Sequence, residues 1–292
     1  MSDRLVTFGD MIQEMEARMD NNAIRSSVKR WLNTSYKNLA MSIKSPLHRK
    51  MKTLSTVSGT DTYDLPSDFR CFGHLNDAAN KRLLSEDFEN ILYLRDTEAR
   101  SGDPEQYAVG GIDPERATYT TGTISKTDGS NILTGASTSW TTNVTDGDLI
   151  TIGSEKYNVY RVNSTTEIVM CQKALTTQAG STYTIERMNM AQLILYPKPS
   201  AAGTIKYHYY KRTHDMVHDN DIPELPEEFN EGIVQGALMQ AHQYDEEEGL
   251  ASISSQAYKI FLDKWAGYTI DLRESDFNSG IGPLGYSRDY DE

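Results

Sequence analysis

Asp148-Leu149-Ile150-Thr151-Ile152, Lys156-Tyr157-Asn158-Val159-Tyr160-Arg161-Val162 and Glu167-Ile168-Val169-Met170 follow one another, separated by Gly153-Ser154-Glu155 and by Asn163-Ser164-Thr165-Thr166. The runs are β-branched, aromatic and largely alternating, the signature of strands with one buried face, and the gaps between them are made of turn residues. The pattern extends both ways. Upstream lie Gly122-Thr123-Ile124-Ser125 and Asn131-Ile132-Leu133-Thr134 around Asp128-Gly129, then Asp146-Gly147; downstream, Ala179-Gly180 leads into Thr182-Tyr183-Thr184-Ile185. No helical period breaks residues 117–187. Short strands at a spacing of about 8–12 residues predict a small barrel or sandwich, and about 70 residues suffice for one such module.

The flanking sequence is of another kind. Thr7 caps a first helix with Asp10 and Glu14 near its positive end, and Met11, Met15 and Met19 form a core stripe beside Phe8 and Ile12. After Asp20-Asn21-Asn22, a second helix buries Ile24, Val28, Trp31, Leu32, Tyr36 and Leu39, turns Arg25, Lys29, Arg30 and Lys37 outward, and ends before Pro46. Leu54 and Val57, the turn Ser58-Gly59-Thr60-Asp61, and Tyr63-Asp64-Leu65-Pro66 read as a hairpin. Ser85 is the expected cap of a third helix carrying Phe88, Ile91 and Leu92. Tyr107-Ala108-Val109 is a short strand. Beyond the β-rich stretch, Gln192-Leu193-Ile194-Leu195-Tyr196-Pro197 and Thr204-Ile205-Lys206-Tyr207-His208-Tyr209-Tyr210 read as a second hairpin. Pro226 opens a helix bearing Phe229, Ile233, Ala237, Ala241 and Tyr244; Gly232 and Gly236, four apart, offer a smooth strip for close approach of another backbone. Asp245 and Glu248 have the form of a capping box for a last helix with Leu250, Ile253, Ala257, Ile260, Phe261, Trp265 and Tyr268. Residues 271–292 are acidic and broken by Gly280, Gly282, Pro283 and Gly285, yet keep Phe277, Ile281, Leu284, Tyr286 and Tyr290. That combination suits a segment that orders on a partner.

The chain of 292 residues carries a net charge of −13, unevenly placed. Residues 1–60 hold ten Lys and Arg against five Asp and Glu, whereas residues 213–292 hold four against eighteen. A basic end can meet an acidic end of a neighbouring copy. Seventeen tyrosines against seven phenylalanines point to half-wet surfaces such as subunit interfaces. Cys71 and Cys171 stand far apart and are expected to be free thiols in a reducing compartment. Neither a signal-peptide core nor a membrane-spanning apolar run is present in the sequence. Phosphate-binding loops, zinc-helix motifs, nucleophile elbows and dinucleotide fingerprints are likewise missing. His208, His214 and His218 share no strand or helix face, so no metal is expected, and no cofactor is called for. Lys29-Arg30-Trp31 is the nearest thing to a nucleic-acid patch. These observations favour an assembly protein over an enzyme. A glycosidase with paired carboxylates remains the catalytic alternative.

The order of motifs resembles the head-to-tail adaptor, or connector, proteins of tailed bacteriophages. It is carried by Thr7-Phe8-Gly9-Asp10, Val28-Lys29-Arg30-Trp31-Leu32-Asn33, Thr56 to Phe69, Gly102-Asp103-Pro104-Glu105-Gln106-Tyr107, Leu193-Ile194-Leu195-Tyr196-Pro197-Lys198-Pro199 and Leu225-Pro226-Glu227-Glu228-Phe229. The likeness covers about residues 1–110 and 190–270. It implies an α+β fold: a helical-bundle core with short β-hairpins (1–112 and 190–270), an inserted all-β domain at 113–189 of Src-homology-type barrel or Ig-like sandwich form, and a C-terminal extension at 271–292. It also implies a virion neck protein, made in the host bacterial cytoplasm, that forms a ring of twelve copies under the portal and passes DNA without reading its sequence. A tail nozzle, hub or tail-completion protein would sit below. Portal contacts then fall to Phe277, Ile281, Leu284, Tyr286 and Tyr290, and subunit contacts to Arg25, Lys29, Arg30, Gly232 and Gly236. The insertion is where the chain departs from compact members of that group, and tail fibres are its expected partner. A baseplate or fibre-attachment protein is the structural alternative.

Overall fold

The computed structural model describes residues 6–19, 25–112, 118–187 and 191–278. Among them helices and predominantly antiparallel sheets mix in an α+β arrangement. The helices are α1 (Phe8–Met19), α2 (Arg25–Met41), α3 (Phe88–Glu98), α4 (Trp140–Asn143), α5 (Asn230–Tyr244) and α6 (Glu248–Asn278). The chain gathers into two compact units, Met1–His48 with His218–Glu292, and Arg49–Val217. The division falls elsewhere than at the expected boundaries near 112 and 190. The first unit holds α1, α2, α5 and α6; the second holds every strand, inserted or not.

In the helical unit, Thr7 and Asp10 form a reciprocal cap. The Thr7 amide donates to Asp10 Oδ2 at 2.9 Å, and the Asp10 amide donates to Thr7 Oγ1 at 3.2 Å. Phe8, Met11, Ile12 and Met15 are fully buried, as their spacing requires. They share a core with Trp31, Leu32, Tyr36 and Leu39 of α2 and with Ile233, Ala237 and Ala241 of α5. Asp245 does not cap α6. It closes α5, its amide donating to the Ala241 carbonyl, and Glu246 takes a left-handed φ of 60° before α6 begins. The helix then runs past the expected end of the core at 270 to Asn278. Its inner face is anchored by Trp265, whose ring lies 5.0 Å from Phe229, edge to face.

The strand unit opens with β1 (Arg49–Thr56), β2 (Thr62–Asp64), β3 (Phe69–Asn76), β4 (Leu84–Ser85), β5 (Ser101–Gly102) and β6 (Gln106–Ile112). Eight strands follow: β7 (Thr118–Tyr119), β8 (Thr123–Lys126), β9 (Ile132–Ala136), β10 (Leu149–Ile152), β11 (Glu155–Ser164), β12 (Glu167–Met170), β13 (Gln178–Ser181) and β14 (Thr184–Glu186). The unit ends with β15 (Ala191–Tyr196), β16 (Lys198–Pro199) and β17 (Gly203–Lys211). Neither expected hairpin forms. β1 pairs with β17 in a sheet ordered β1-β17-β3, while β2 pairs with β15 in a sheet ordered β2-β15-β6-β4. Each proposed turn carries the chain from one sheet to the other. Ser85 lies in β4, and Asp87 precedes α3 instead, without a side-chain cap bond.

The four-stranded sheet is covered on both faces, which explains the unbroken apolar run Leu193-Ile194-Leu195-Tyr196. Leu193 and Leu195 pack with Tyr107, Tyr207, Tyr209 and Ile205 between the two sheets, while Ile194 and Tyr196 pack with Ile91 under α3. Gly110 is required there, because a Cβ would lie 1.9 Å from the Phe88 ring. Among the described residues eight of the chain's seventeen tyrosines, Tyr36, Tyr157, Tyr207 and Tyr209 among them, are buried, so about half of the surplus serves the core and not the half-wet surfaces expected of it.

The eight strands β7 to β14 make one sheet, ordered β13-β8-β9-β12-β11-β10-β14-β7. Trp140 of α4, an element the sequence pattern did not announce, is fully buried among Ile124, Leu133, Ile150 and Tyr157, and its Nε1 donates to Tyr183 Oη at 3.0 Å. Burial of Tyr183 pushes its hydroxyl up to about 12. The sheet enters and leaves the chain between β6 and β15, which pair antiparallel from Gln106↔Tyr196 to Ile112↔Ala191.

Candidate assembly surfaces

The sites expected from sequence fall in three places. Ile281, Leu284, Tyr286 and Tyr290 lie outside the described residues; Phe277 belongs to the last turn of α6, and its side chain is also outside them, as is that of Arg25 at the start of α2. Lys29 is half-exposed and engaged within its own unit, its Nζ 2.8 Å from Asp219 Oδ1 and 5.8 Å from the Phe8 ring centre. Arg30, the next residue, is exposed.

Gly232 and Gly236 are buried, and their close approach is made inside the chain, which corrects their assignment to a subunit contact. A Cβ on Gly232 would lie 2.7 Å from Phe261 Cβ of α6; one on Gly236 would lie 2.2 Å from Ser35 Oγ of α2 and 2.7 Å from the Tyr258 ring of α6. The strip lets α5 sit against α2 and α6.

The surface free for partners on the helical unit is the outer side of α6. The apolar residues read there as one set divide: Trp265 is buried, with Ala251 and Tyr258 from outside that set. Ile253 is 65% exposed, Leu250 and Ile260 are also exposed, and so is Ile270, outside that set. Tyr244 at the end of α5 is 68% exposed beside them. Ile253 and Ile260 are seven residues apart, as are Ala251, Tyr258 and Trp265, so each row keeps to one face, and the two-residue offset between the rows puts them on opposite sides of the helix. Exposed apolar groups in a row mark an interaction surface.

In the strand unit, the turn Asp146-Gly147-Asp148 is held against β1, the start of β3 and β17. Gly147 has φ +90°, and a Cβ there would lie 2.3 Å from the Asp68 amide nitrogen, so only glycine fits. The Asp68 amide donates to the Asp146 carbonyl at 3.1 Å. Lys50 of β1 lies between two nearly buried carboxylates, with Nζ 2.9 Å from Asp68 Oδ2, 3.2 Å from Asp146 Oδ2 and 2.7 Å from the Tyr160 carbonyl. Burial works against its charge, but Asp68 and Asp146 outweigh it and hold the ammonium above its ordinary value. Lys52 Nζ approaches Asp146 Oδ1 to 2.9 Å, an ion contact without hydrogen-bond angles. Tyr209 Oη donates to Asp68 Oδ1 at 2.8 Å, and Ser67 Oγ donates to Asp148. Burial raises the Asp148 carboxyl. The ion-paired and hydrogen-bonded groups tie the eight-stranded sheet to β1, the start of β3 and β17. Sequence reading found Asp146-Gly147 as a turn and missed its grip, because its partners lie about 80 residues upstream.

The family described as SU10 adaptor protein matches residues 6–278, and the chain belongs to it. No curated protein matches the chain. The family is one of phage structural proteins, not an enzyme class, so the chain is a virion-associated structural adaptor. Among the described residues no helix is long and apolar enough to cross a membrane.

Proposed function

We propose, from that membership, that the chain is a neck component: copies of it form a ring beneath the portal, twelve in number, joining head to tail and leaving a channel for DNA. The family match from residue 6 to residue 278 carries this reading. The helical unit suits the ring body, since the outer row of α6 offers apolar area that one copy leaves in water. The net charge of −13 suits a conduit, because each cationic phosphate contact would slow passing DNA. The segment after Asn278, with Ile281, Leu284, Tyr286 and Tyr290, is the proposed portal grip; the lower face takes the tail nozzle or completion protein. The inserted sheet, held firmly by its turn at 146–148, is a stiff platform for tail or fibre components.

Native mass spectrometry of the chain, alone and mixed with portal rings of the same phage, tests this. A ring stoichiometry on the portal is expected. A chain removed after Asn278 should keep its helical signal and lose portal binding; a full-length chain that stays monomeric and unbound with portal present refutes the reading. A cut after Tyr268 would instead sever α6 and remove Thr269, which is fully buried.

A further inference from the structure

The sheet β1-β17-β3 has one face in the core and one in water. On β17, Ile205, Tyr207, Tyr209 and Lys211 turn inward, which sends Lys206, His208 and Tyr210 outward. Register places Thr53, Met51 and Arg49 of β1 beside them on one side, and Asn76, His74 and Cys71 of β3 on the other. Arg82 joins this edge through its bridge to Asn76. The rings of His74 and His208 lie 4.3 Å apart. Burial, Arg82 and Arg49 hold His74 below its ordinary value, and burial, His74 and Arg49 do the same for His208; no carboxylate opposes them. Asp77 and Glu105, the nearby acids, are engaged by the amide and the ammonium of Lys81. Among the described residues Lys206 and Arg82 form no ion pair, and His208 Nδ1 is buried without a hydrogen-bond partner. Met51, 71% exposed, stands across from His208 on the edge strand β1.

In a chain of net charge −13, a face carrying Lys206 and Arg82 with an exposed apolar group at its edge suits an anionic partner that also carries apolar surface. The chain itself supplies one. At the corner between α5 and α6, Tyr244, Asp245, Glu246, Glu248, Leu250 and Ile253 are all exposed. Glu247 is tied to His242 at 3.0 Å, but among the described residues Asp245, Glu246 and Glu248 form no ion pair. Three carboxylates beside an aromatic and two aliphatic groups complement Lys206, Arg82 and the exposed Met51.

We propose that the outer face of this sheet docks the α5–α6 corner of a second copy, Lys206 and Arg82 meeting Asp245, Glu246 and Glu248, and Met51 covering the corner's apolar groups. The contact is heterologous, the kind that builds rings when it closes. It rests on the ring reading above and names the surfaces by which neighbours meet. The apolar groups on both sides favour a protein occupant over nucleic acid, whose phosphates would use the cations alone.

The test is a charge exchange, followed by sedimentation and native mass spectrometry of the full chain at low and high salt. Lys206→Glu with Arg82→Glu, and separately Glu246→Lys with Glu248→Lys, should each weaken self-association at least about tenfold, the loss expected when like charges face one another. An equimolar mixture of the two should regain it, since each variant then finds its complement in the other. Zero-length cross-linking of differently isotope-labelled wild-type copies should join Lys206 of one to Glu246 or Glu248 of the other. If both variants associate as wild type, or the mixture fails to recover, the docking contact is wrong while the ring reading stands. If wild type never associates, alone or on the portal, both fall. If the sheet variant loses only binding to a DNA duplex, the face serves nucleic acid and the docking proposal is overturned.

Discussion

Replacing Lys50 by Met tests whether the turn at 146–148 is a structural lock or a passive contact. The Lys50 side chain is 13% exposed, and it faces Asp68 and Asp146, which are 9% and 4% exposed. At 2.9 Å and an effective dielectric of about 20, one such pair attracts by about 6 kcal/mol gross. Desolvation cancels much of that in the intact protein, but removing one partner leaves the other buried and unpaired. Asp68 would keep only the Tyr209 hydroxyl as a side-chain donor, and Asp146 only Lys52 as an ion partner. The loss should reach about 3–5 kcal/mol, and at about 2–4 °C per kcal/mol for a unit of this size the melting point should fall by about 6–20 °C. Calorimetry of the full chain reads this, with near-ultraviolet dichroism to follow the tyrosine-rich core. Lys81→Met is the control: its pair with Glu105 is 64% and 55% exposed, and its removal should move stability by less than about 0.5 kcal/mol. The double variant Lys50→Met with Asp68→Asn should recover part of the loss, because no bare charge then remains at Asp68. A Lys50→Met loss below about 1 kcal/mol, equal to the surface control, would refute the claim that buried ions hold the inserted sheet in place.

Three further outcomes follow from glycines and histidines. Gly232→Ala should destabilise by about 1–2 kcal/mol in urea unfolding, since Phe261 Cβ, fixed to its backbone, blocks the new methyl, while Gly267→Ala on the open side of α6 should stabilise by up to about 1 kcal/mol. Gly147→Ala should cost about 3 kcal/mol, combining a strained positive φ with a clash against the Asp68 backbone. His74 and His208 have folded values below 6.5, so the unfolded chain binds more protons just below that pH; their contribution to stability is intact above pH 6.5 and is lost as pH falls through that value, measured as a decreasing urea midpoint between pH 7 and pH 5.5.

What could be read without coordinates was periodicity and local chemistry. The stripe Met11-Met15, the Thr7 cap and the inserted strands at 124, 133, 150, 157 and 168 all follow from rules that act within a few residues. Partner choice did not follow. Alternation along Leu54 to Leu65 and along Leu193 to Tyr210 shows which side chains share a face, but a turn of similar length serves a hairpin and a crossing between two sheets alike. The capping reading of Asp245 failed for a similar reason. The sequence suits a cap, but the corner first closes α5, with Glu246 in a left-handed conformation, and α6 starts only at Glu248. Gly232 and Gly236 were legible as a place of close approach and illegible as to what approaches, because α2 and Phe261 come from distant sequence.

The strands β7 to β14 show how a chain can carry an eight-stranded sheet between two strands of another sheet without breaking that sheet's ladder. β6 and β15 are antiparallel neighbours, so the chain can leave after Ile112 and return at Ala191 with the ladder already closed. Joining two adjacent strand ends costs little extra entropy even for a long excursion, since loop closure grows only as the logarithm of length. A module attached by that junction alone would swing. The buried ions at Asp146 and the interlocked backbone at Gly147 supply a second attachment, far in sequence from the first. Two attachments at separate points resist rotation where one cannot. The platform role proposed for this sheet needs such rigidity, and a tethered, freely moving module would not need Asp68, Lys50 and Gly147 together.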